Sequence, residues 1–175
     1  VDLTGRKVGG PGRPVPAEVD LAAHVDIGDA DIKVDVGVDL AGSRLLAVKG
    51  TAGLAGKGLI AQLREKKKPD PTLDFDIDVP ERPLASLSVV RPGLASAPGR
   101  LGGHFDVGGR ASLPTASGAL GVTGVAAADG SPTGAEVRLS ADEKLIAAVI
   151  GLGSRGGSDP SPVKIEAKVD RAELK

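Results

Sequence analysis

Residues 17–40, "AEVDLAAHVDIGDADIKVDVGVDL", decide how this chain is read. In the first half Ala17, Val19, Leu21, Ala23, Val25 and Ile27 take alternate positions, with Glu18, Asp20, His24 and Asp26 between them. In the second half Ile32, Val34, Val36, Val38 and Leu40 alternate with Asp31, Lys33, Asp35 and Asp39. Successive side chains on a strand point to opposite faces. A period of two held this long therefore predicts strands with one apolar and one charged face. The interruption Gly28-Asp29-Ala30 makes the pair a long hairpin.

The pattern extends outward in both directions. Residues 1–16 are rich in Gly and Pro ("GGPGRPVP") and are expected to form a loop or a loosely held edge. A third strand is predicted over Arg44–Leu54. The period then changes: Leu59, Ile60 and Leu63 fall at helical spacing before the basic run Arg64–Lys68, which predicts one short helix ending before Pro69. Strand alternation resumes with Leu73, Phe75, Ile77 and Val79 against Asp74, Asp76 and Asp78, and Pro80 and Pro83 are expected to close it. "PLASLSVV" predicts a second short helix with Pro83 in its first turn. Beyond Arg100 the strands return, with Leu101, Phe105 and Val107 on one face and Val163, Ile165, Ala167 and Val169 in phase at the end. Eight to ten strands joined by short turns favour an antiparallel meander. Two readings stand for residues 140–151: a strand, or a helix with Ser140 and Glu143 as a capping box and Gly151 at its end.

Composition narrows the function. The chain has 175 residues and a formal net charge of −1, which argues against a nucleic-acid partner. It has no Cys, hence no disulfides, thiolate nucleophile or Cys-ligated metal, and is compatible with an oxidising compartment. The absence of Met leads us to expect a piece of a longer chain. With two Phe, no Trp or Tyr, 26 Gly and 13 Pro, an ordinary enzyme core lacks its usual large rings, and a thin or open structure is expected.

Motifs that suggest chemistry do not find their context. Gly151-Leu152-Gly153-Ser154-Arg155-Gly156 has the G-x-G-x-x-G spacing of a dinucleotide turn. "SDPSPVKIEAKVD" follows it, with two prolines and a strand in place of the helix that would hold a pyrophosphate. Asp74, Asp76 and Asp78 lie about 7 Å apart in line on a strand rather than wrapped around a cation. His24 and His104 are the only histidines, and His104 and Asp106 share a face at ion-pair spacing without a nucleophile nearby. No catalytic residue, metal site or cofactor is assigned. The run Arg64–Lys68 is read as a solvated helix end, with lipid headgroups or an acidic partner as the functional alternative.

The collective feature is the apolar face, which must be covered in water. A second sheet, a closed barrel or a strongly curled sheet filled by acyl chains would each do so. Val, Leu, Ile and Ala give a smooth lining, and frequent Gly lets a sheet curl.

Residues 74–130 bring a family into view. They comprise the strand "DFDIDV", then "RPLASL", then "PGRLGGHFDVGGRASLPTASGAL", with "AEVRLS" beyond a "DG" turn. This order resembles the TamB/AsmA-like family of bridge-like lipid-transfer proteins, most clearly over residues 73–150. The resemblance implies a U-shaped β-sheet gutter, a "taco", in the periplasm of Gram-negative bacteria. It implies an inner-membrane anchor outside these residues, a BamA-like outer-membrane partner, and movement of phospholipid between membranes. A role in outer-membrane protein assembly is the second implication. No catalytic residue carries over. The matched positions that would line the groove are Leu73, Phe75, Ile77, Val79, Leu101, Phe105 and Val107. From alternation we add Val19, Leu21, Val25, Ile32, Val34, Val36 and Val38.

The expectation is therefore a mostly β chain: a curled antiparallel sheet with an apolar concave face and one or two short helices, residues 1–175 forming one β-rich segment. Phospholipid acyl chains would lie on the apolar face. The rivals are an assembly module that binds a client or partner strand at an open sheet edge, and a plain sandwich with a dry core.

Overall fold

A computed structural model describes residues 1–6, 19–54, 58, 69–126, 132–142, 144–153 and 163–174. They form one antiparallel sheet of ten strands in strict sequence order, open rather than closed into a barrel. The strands are β1 (Asp2–Arg6), β2 (Val19–Ile27), β3 (Asp31–Leu40), β4 (Ser43–Gly53), β5 (Thr72–Pro83), β6 (Arg100–Arg110), β7 (Leu113–Ala126), β8 (Pro132–Ala141), β9 (Leu145–Gly153) and β10 (Val163–Asp170). This is the expected curled, mostly β meander. Every strand pairs with its sequence neighbour, whether the connection is a turn of two to five residues or one of 9 to 18, and the alternation leaves one face of each strand apolar.

The β2–β3 hairpin predicted from residues 17–40 is present with Val25 opposite Val34 and Ala23 opposite Val36. Residues 2–6 form an edge strand on β2, the ordered form of the expected loop or edge. The "PLASLSVV" helix is a 3-10 turn, Leu84–Val89, followed by another at Pro92–Leu94. Pro83 caps it with extended backbone and no side-chain hydrogen bond, which leaves too little to propagate an α-helix. Residues 145–153 are strand β9, so the helical reading of 140–151 falls: Ser140 pairs within β8 opposite Ala147. Ladder pairing on both sides of β9 outweighs a local capping box. The helix expected over residues 59–68 lies outside the described residues. Among those described, no helix is long and apolar enough to cross a membrane.

Three register shifts break the regular ladder: Leu45 in β4, residues 80–81 in β5 and Gly124 in β7. Each adds local twist and bend, and all three lie on the same rim, where β3, β5 and β7 end. Pro83 therefore ends β5 as expected, but Pro80 does not. The strand runs on through Pro83 because Pro80, which has no N–H to donate, sits in the bulge. At the opposite rim, Arg171 in a short 3-10 turn (Arg171–Leu174) reaches from the end of β10 to donate to the Pro114 carbonyl at the start of β7. This contact crosses three strand positions, roughly 14 Å along a flat sheet, and a sheet that curls shortens that span. On the same rim Asp70 accepts hydrogen bonds from the Ser112 N–H and hydroxyl, both at 2.8 Å, tying the start of β5 to the β6–β7 turn.

The β3–β4 turn has two residues, Ala41 and Gly42, with φ of 49° and 77°. Positive φ at both central positions is the type I′ turn that matches strand twist, and Ala is a poor occupant of the first. Replacing Ala41→Asn should raise stability by about 0.5–1 kcal/mol, read as a higher Tm. A second expectation concerns acid. The Lys144 and Leu145 N–H groups donate to the Asp142 carboxylate in the β8–β9 turn, each at 2.8 Å, and hold its pKa below the ordinary aspartate value. A lowered folded pKa contributes stability above the unfolded value and loses it as pH falls through the folded one. The β8–β9 hairpin should therefore weaken below about pH 4. Asp142→Asn, which keeps the acceptor, should flatten that part of the acid-unfolding profile followed by circular dichroism.

Candidate functional site

The register turns the alternation of single strands into rows that cross the sheet. One row passes through all ten strands: Leu3, Ala23, Val36, Val48, Ile77, Phe105, Gly118, Leu139, Ala148 and Ala167, each directly opposite the next. None is polar. A second row runs from β2 to β10 as Val25, Val34, Gly50, Phe75, Val107, Ala116, Ala141, Ile146 and Val169. Residues opposite one another share a face, so these rows are one continuous apolar surface.

All fourteen positions expected from the sequence belong to this phase. Val36, Ile77 and Phe105 lie in the first row, and Val25, Val34, Phe75 and Val107 in the second. Leu21 and Val38 face each other toward the bulged rim, where Val79 stands opposite Gly103 and Leu101 opposite Val122. Ile32 and Leu73 are each opposite Ala52 toward the other rim, and Val19 pairs with Leu40. The sequence reading stopped short of Val48, Leu139 and Ala148, and it placed Val163, Ile165, Ala167 and Val169 in phase without adding them to the groove. The same period of two would have found them.

This face is not a closed core. Among the described residues only Leu40, Leu54 and Ala147 are buried apolar side chains, and no side chain is fully enclosed. The fourteen named positions are half-buried, except Leu21, which is exposed. Leu139, Ile146, Ile150, Ile165 and Val169 are 36–56% exposed along the last three strands. A sandwich with a dry core is therefore not what these residues build. Contiguous exposed apolar surface of this kind marks an interaction site.

Glycine shapes the centre of the face. A Cβ on Gly50 would lie 2.5 Å from the Phe75 ring, and one on Gly118 would overlap the Phe105 ring. Both phenylalanines thus lie down over a glycine on the neighbouring strand, a cross-strand packing that fills the space a side chain would take. The result is a low surface of rings, methyls and backbone.

The other face is charged. His104 stands among carboxylates: Nε2 is 3.3 Å from Asp106 and 3.7 Å from Asp76, and Nδ1 is 3.9 Å from Asp78. The expected His104–Asp106 pair is present. Asp76, His104 and Asp106 bring one ligand atom each within 4.8 Å of one another, but all three are exposed on a flat strand face. That geometry suits a solvated charge network in which the imidazole separates two directly opposed aspartates. His24 pairs likewise with Asp2, whose pKa it lowers by hydrogen bonding and by charge. Two shallow depressions also open on this side. One is bordered by Asp78, Glu81, Arg100 and His104, the other by Asp74, Asp106 and Ser117. They are gaps where Gly102, Gly121 and Gly108 carry no side chain. Of the dinucleotide-like glycines, Gly151 and Gly153 are in β9, and Gly156 lies outside the described residues.

One residue was missed by the sequence reading altogether. Strict alternation from Val79 would put Glu81 on the apolar face. The bulge instead places Arg82 there, opposite Leu101, and turns Glu81 outward to pair with Arg100 at 2.6 Å. Arg82 is only 7% exposed, and its Nε has no hydrogen-bond partner.

No family model, no curated protein and no solved structure matches this chain.

The ring-over-glycine packing has a direct test. Gly118→Val adds a residue favoured in strands, yet its Cβ would meet the His104 carbonyl oxygen and the Phe105 backbone as well as the Phe105 ring, so ring and strand must both shift. A loss of about 1–3 kcal/mol is expected from overpacking, whereas Gly93→Val, where a Cβ would meet nothing, should be tolerated.

Proposed function

We propose that this chain is a non-enzymatic segment of a lipid conduit, in which phospholipid acyl chains lie along the apolar face of the open sheet and headgroups stay in water. The observation that carries this reading is the unbroken apolar row across ten strands with, among the described residues, only three buried apolar side chains. At about 4.8 Å per strand the row is roughly 43 Å long. One acyl chain needs roughly 15 Å, half of a ~30 Å hydrocarbon core. The face therefore has room for chains end to end, and a continuous row offers no barrier to sliding. Each methylene removed from water contributes up to about 0.8 kcal/mol. The low relief set by Gly50, Gly118 and the two rings leaves the two central rows without a polar group that would hold a chain in place.

The resemblance of residues 73–150 to the TamB/AsmA-like family points the same way. It would put the segment in the periplasm of a Gram-negative cell, within a parent anchored in the inner membrane and meeting a BamA-like partner in the outer membrane. A second reading is supported by the sheet edges. The outer sides of β1 and β10 pair with no described strand, and described β10 side chains from Ile165 to Asp170 are exposed. An assembly module would use such an edge to add a client strand.

The two readings separate by experiment. Val36→Asp and Ile77→Asp put a carboxylate in the central row, where it would meet acyl chains at high cost. Native mass spectrometry and organic extraction of the purified chain should find phospholipid on the wild type and on Asp74→Lys, and lose it in both row variants. Folded row variants that keep their lipid would refute the groove. Binding of β-strand peptides that survives Ile77→Asp would favour the edge.

A further inference from the structure

The bulge in β5 delivers a cation to a place where alternation would put an acid. Between Val79, opposite Gly103, and Arg82, opposite Leu101, the strand holds two residues against the single Gly102. Bulges of this kind re-aim a side chain. The consequence here is a change of sign: Glu81 turns to the polar face and pairs with Arg100 at 2.6 Å, and Arg82 turns to the apolar one. Arg82 is 7% exposed and its Nε is unpaired. The adjacent acid, Glu81, is turned away to Arg100, and Leu101 stands opposite Arg82. Its cross-strand row continues through Leu101, Val122, Ala135, Leu152 and Val163, all apolar. Burying a guanidinium is costly unless an anion joins it.

Resting on the acyl-chain reading above, we infer that Arg82 is the headgroup anchor of the apolar face and holds the phosphate of a phospholipid whose chains lie on the neighbouring rows. Charge complementarity selects the occupant. The site offers one planar, permanently charged fork that matches phosphate oxygens, and apolar surface directly beside it. Arg82 also lies at the bulged rim, the boundary at which a headgroup can reach water while its chains stay on the sheet. A neutral amphiphile would bring the guanidinium no anion. A soluble phosphate would leave the apolar rows bare.

The test compares two lipids with identical chains. Dipalmitoyl phosphatidate and dipalmitoylglycerol, each radiolabelled and presented in a nonionic detergent, are titrated against the wild-type chain, Arg82→Leu, Arg82→Gln and Arg82→Lys. The wild type should bind phosphatidate about tenfold or more tighter than dipalmitoylglycerol, the size of a charge-assisted hydrogen bond. Arg82→Leu and Arg82→Gln should erase that preference and keep dipalmitoylglycerol binding, while Arg82→Lys should retain part of it. An unchanged preference in Arg82→Leu overturns the anchor. So does competition by glycerol 3-phosphate as strong as that of phosphatidate, which would mark a free-phosphate site. Dipalmitoylglycerol binding without any phosphatidate preference refutes the anchor alone. Failure of both lipids to bind refutes the acyl-chain reading itself. Because Arg82→Leu removes a buried charge, the lipid-free variant should melt no lower than the lipid-free wild type. A large fall in Tm would show that Arg82 serves the fold, and would overturn the inference as well.

Discussion

The structure depends on register. A ten-stranded sheet whose apolar side chains come from every strand works only if each strand meets its neighbour in phase, since a slip of one residue sends a whole strand's apolar set to the charged face. The central row passes nine pairings without a polar residue. That is possible because the three bulges lie outside the two central rows, on a single rim. Irregular pairing is thus kept to one rim, and the two central rows stay regular.

Among the described residues no side chain is fully enclosed. Most domains hide their apolar faces between two layers, and their aromatic residues supply much of the buried area. Here the two phenylalanines are spread flat over glycines, and the aliphatic side chains around them are half-exposed. Hydrogen bonding along the ladder holds the strands together, and the rims add ties of their own, from Asp70 to Ser112 and from Arg171 to Pro114. The apolar face is left as the surface that something else must cover. This is why composition was informative before any element was placed: a chain with two Phe and 26 Gly has little material for a thick core.

What was legible in the sequence was whatever repeats with period two. The β2–β3 hairpin, the phase of β5 and β6 and all fourteen face positions follow from alternation alone. What was not legible depended on partners far along the chain. Ser140 and Glu143 make a sound local case for a helix, and only pairing with β8 and β10 makes residues 145–153 a strand. Pro80 looks like the end of β5. A bulge, which accepts a residue without an N–H, lets the strand continue to Pro83. The polar pair His104–Asp106 was visible as spacing, but Asp76 and Asp78 joined it only through the β5–β6 register.

The bulge also shows where function and regularity part company. A sequence that served only the sheet would continue the alternation past Val79 and put a neutral apolar residue opposite Leu101. Here an acid stands at the expected inward position, and one extra residue exchanges it for a base. The acid is then satisfied outside by Arg100, while the base remains inside with its Nε lacking a hydrogen-bond partner. The fold bears the cost of a buried charge at this one point of an otherwise uniform face. Departures from local consistency with no structural return tend to be functional. A cation beside a long apolar surface has the same layout as the molecule it would receive: one charged end and a hydrocarbon body.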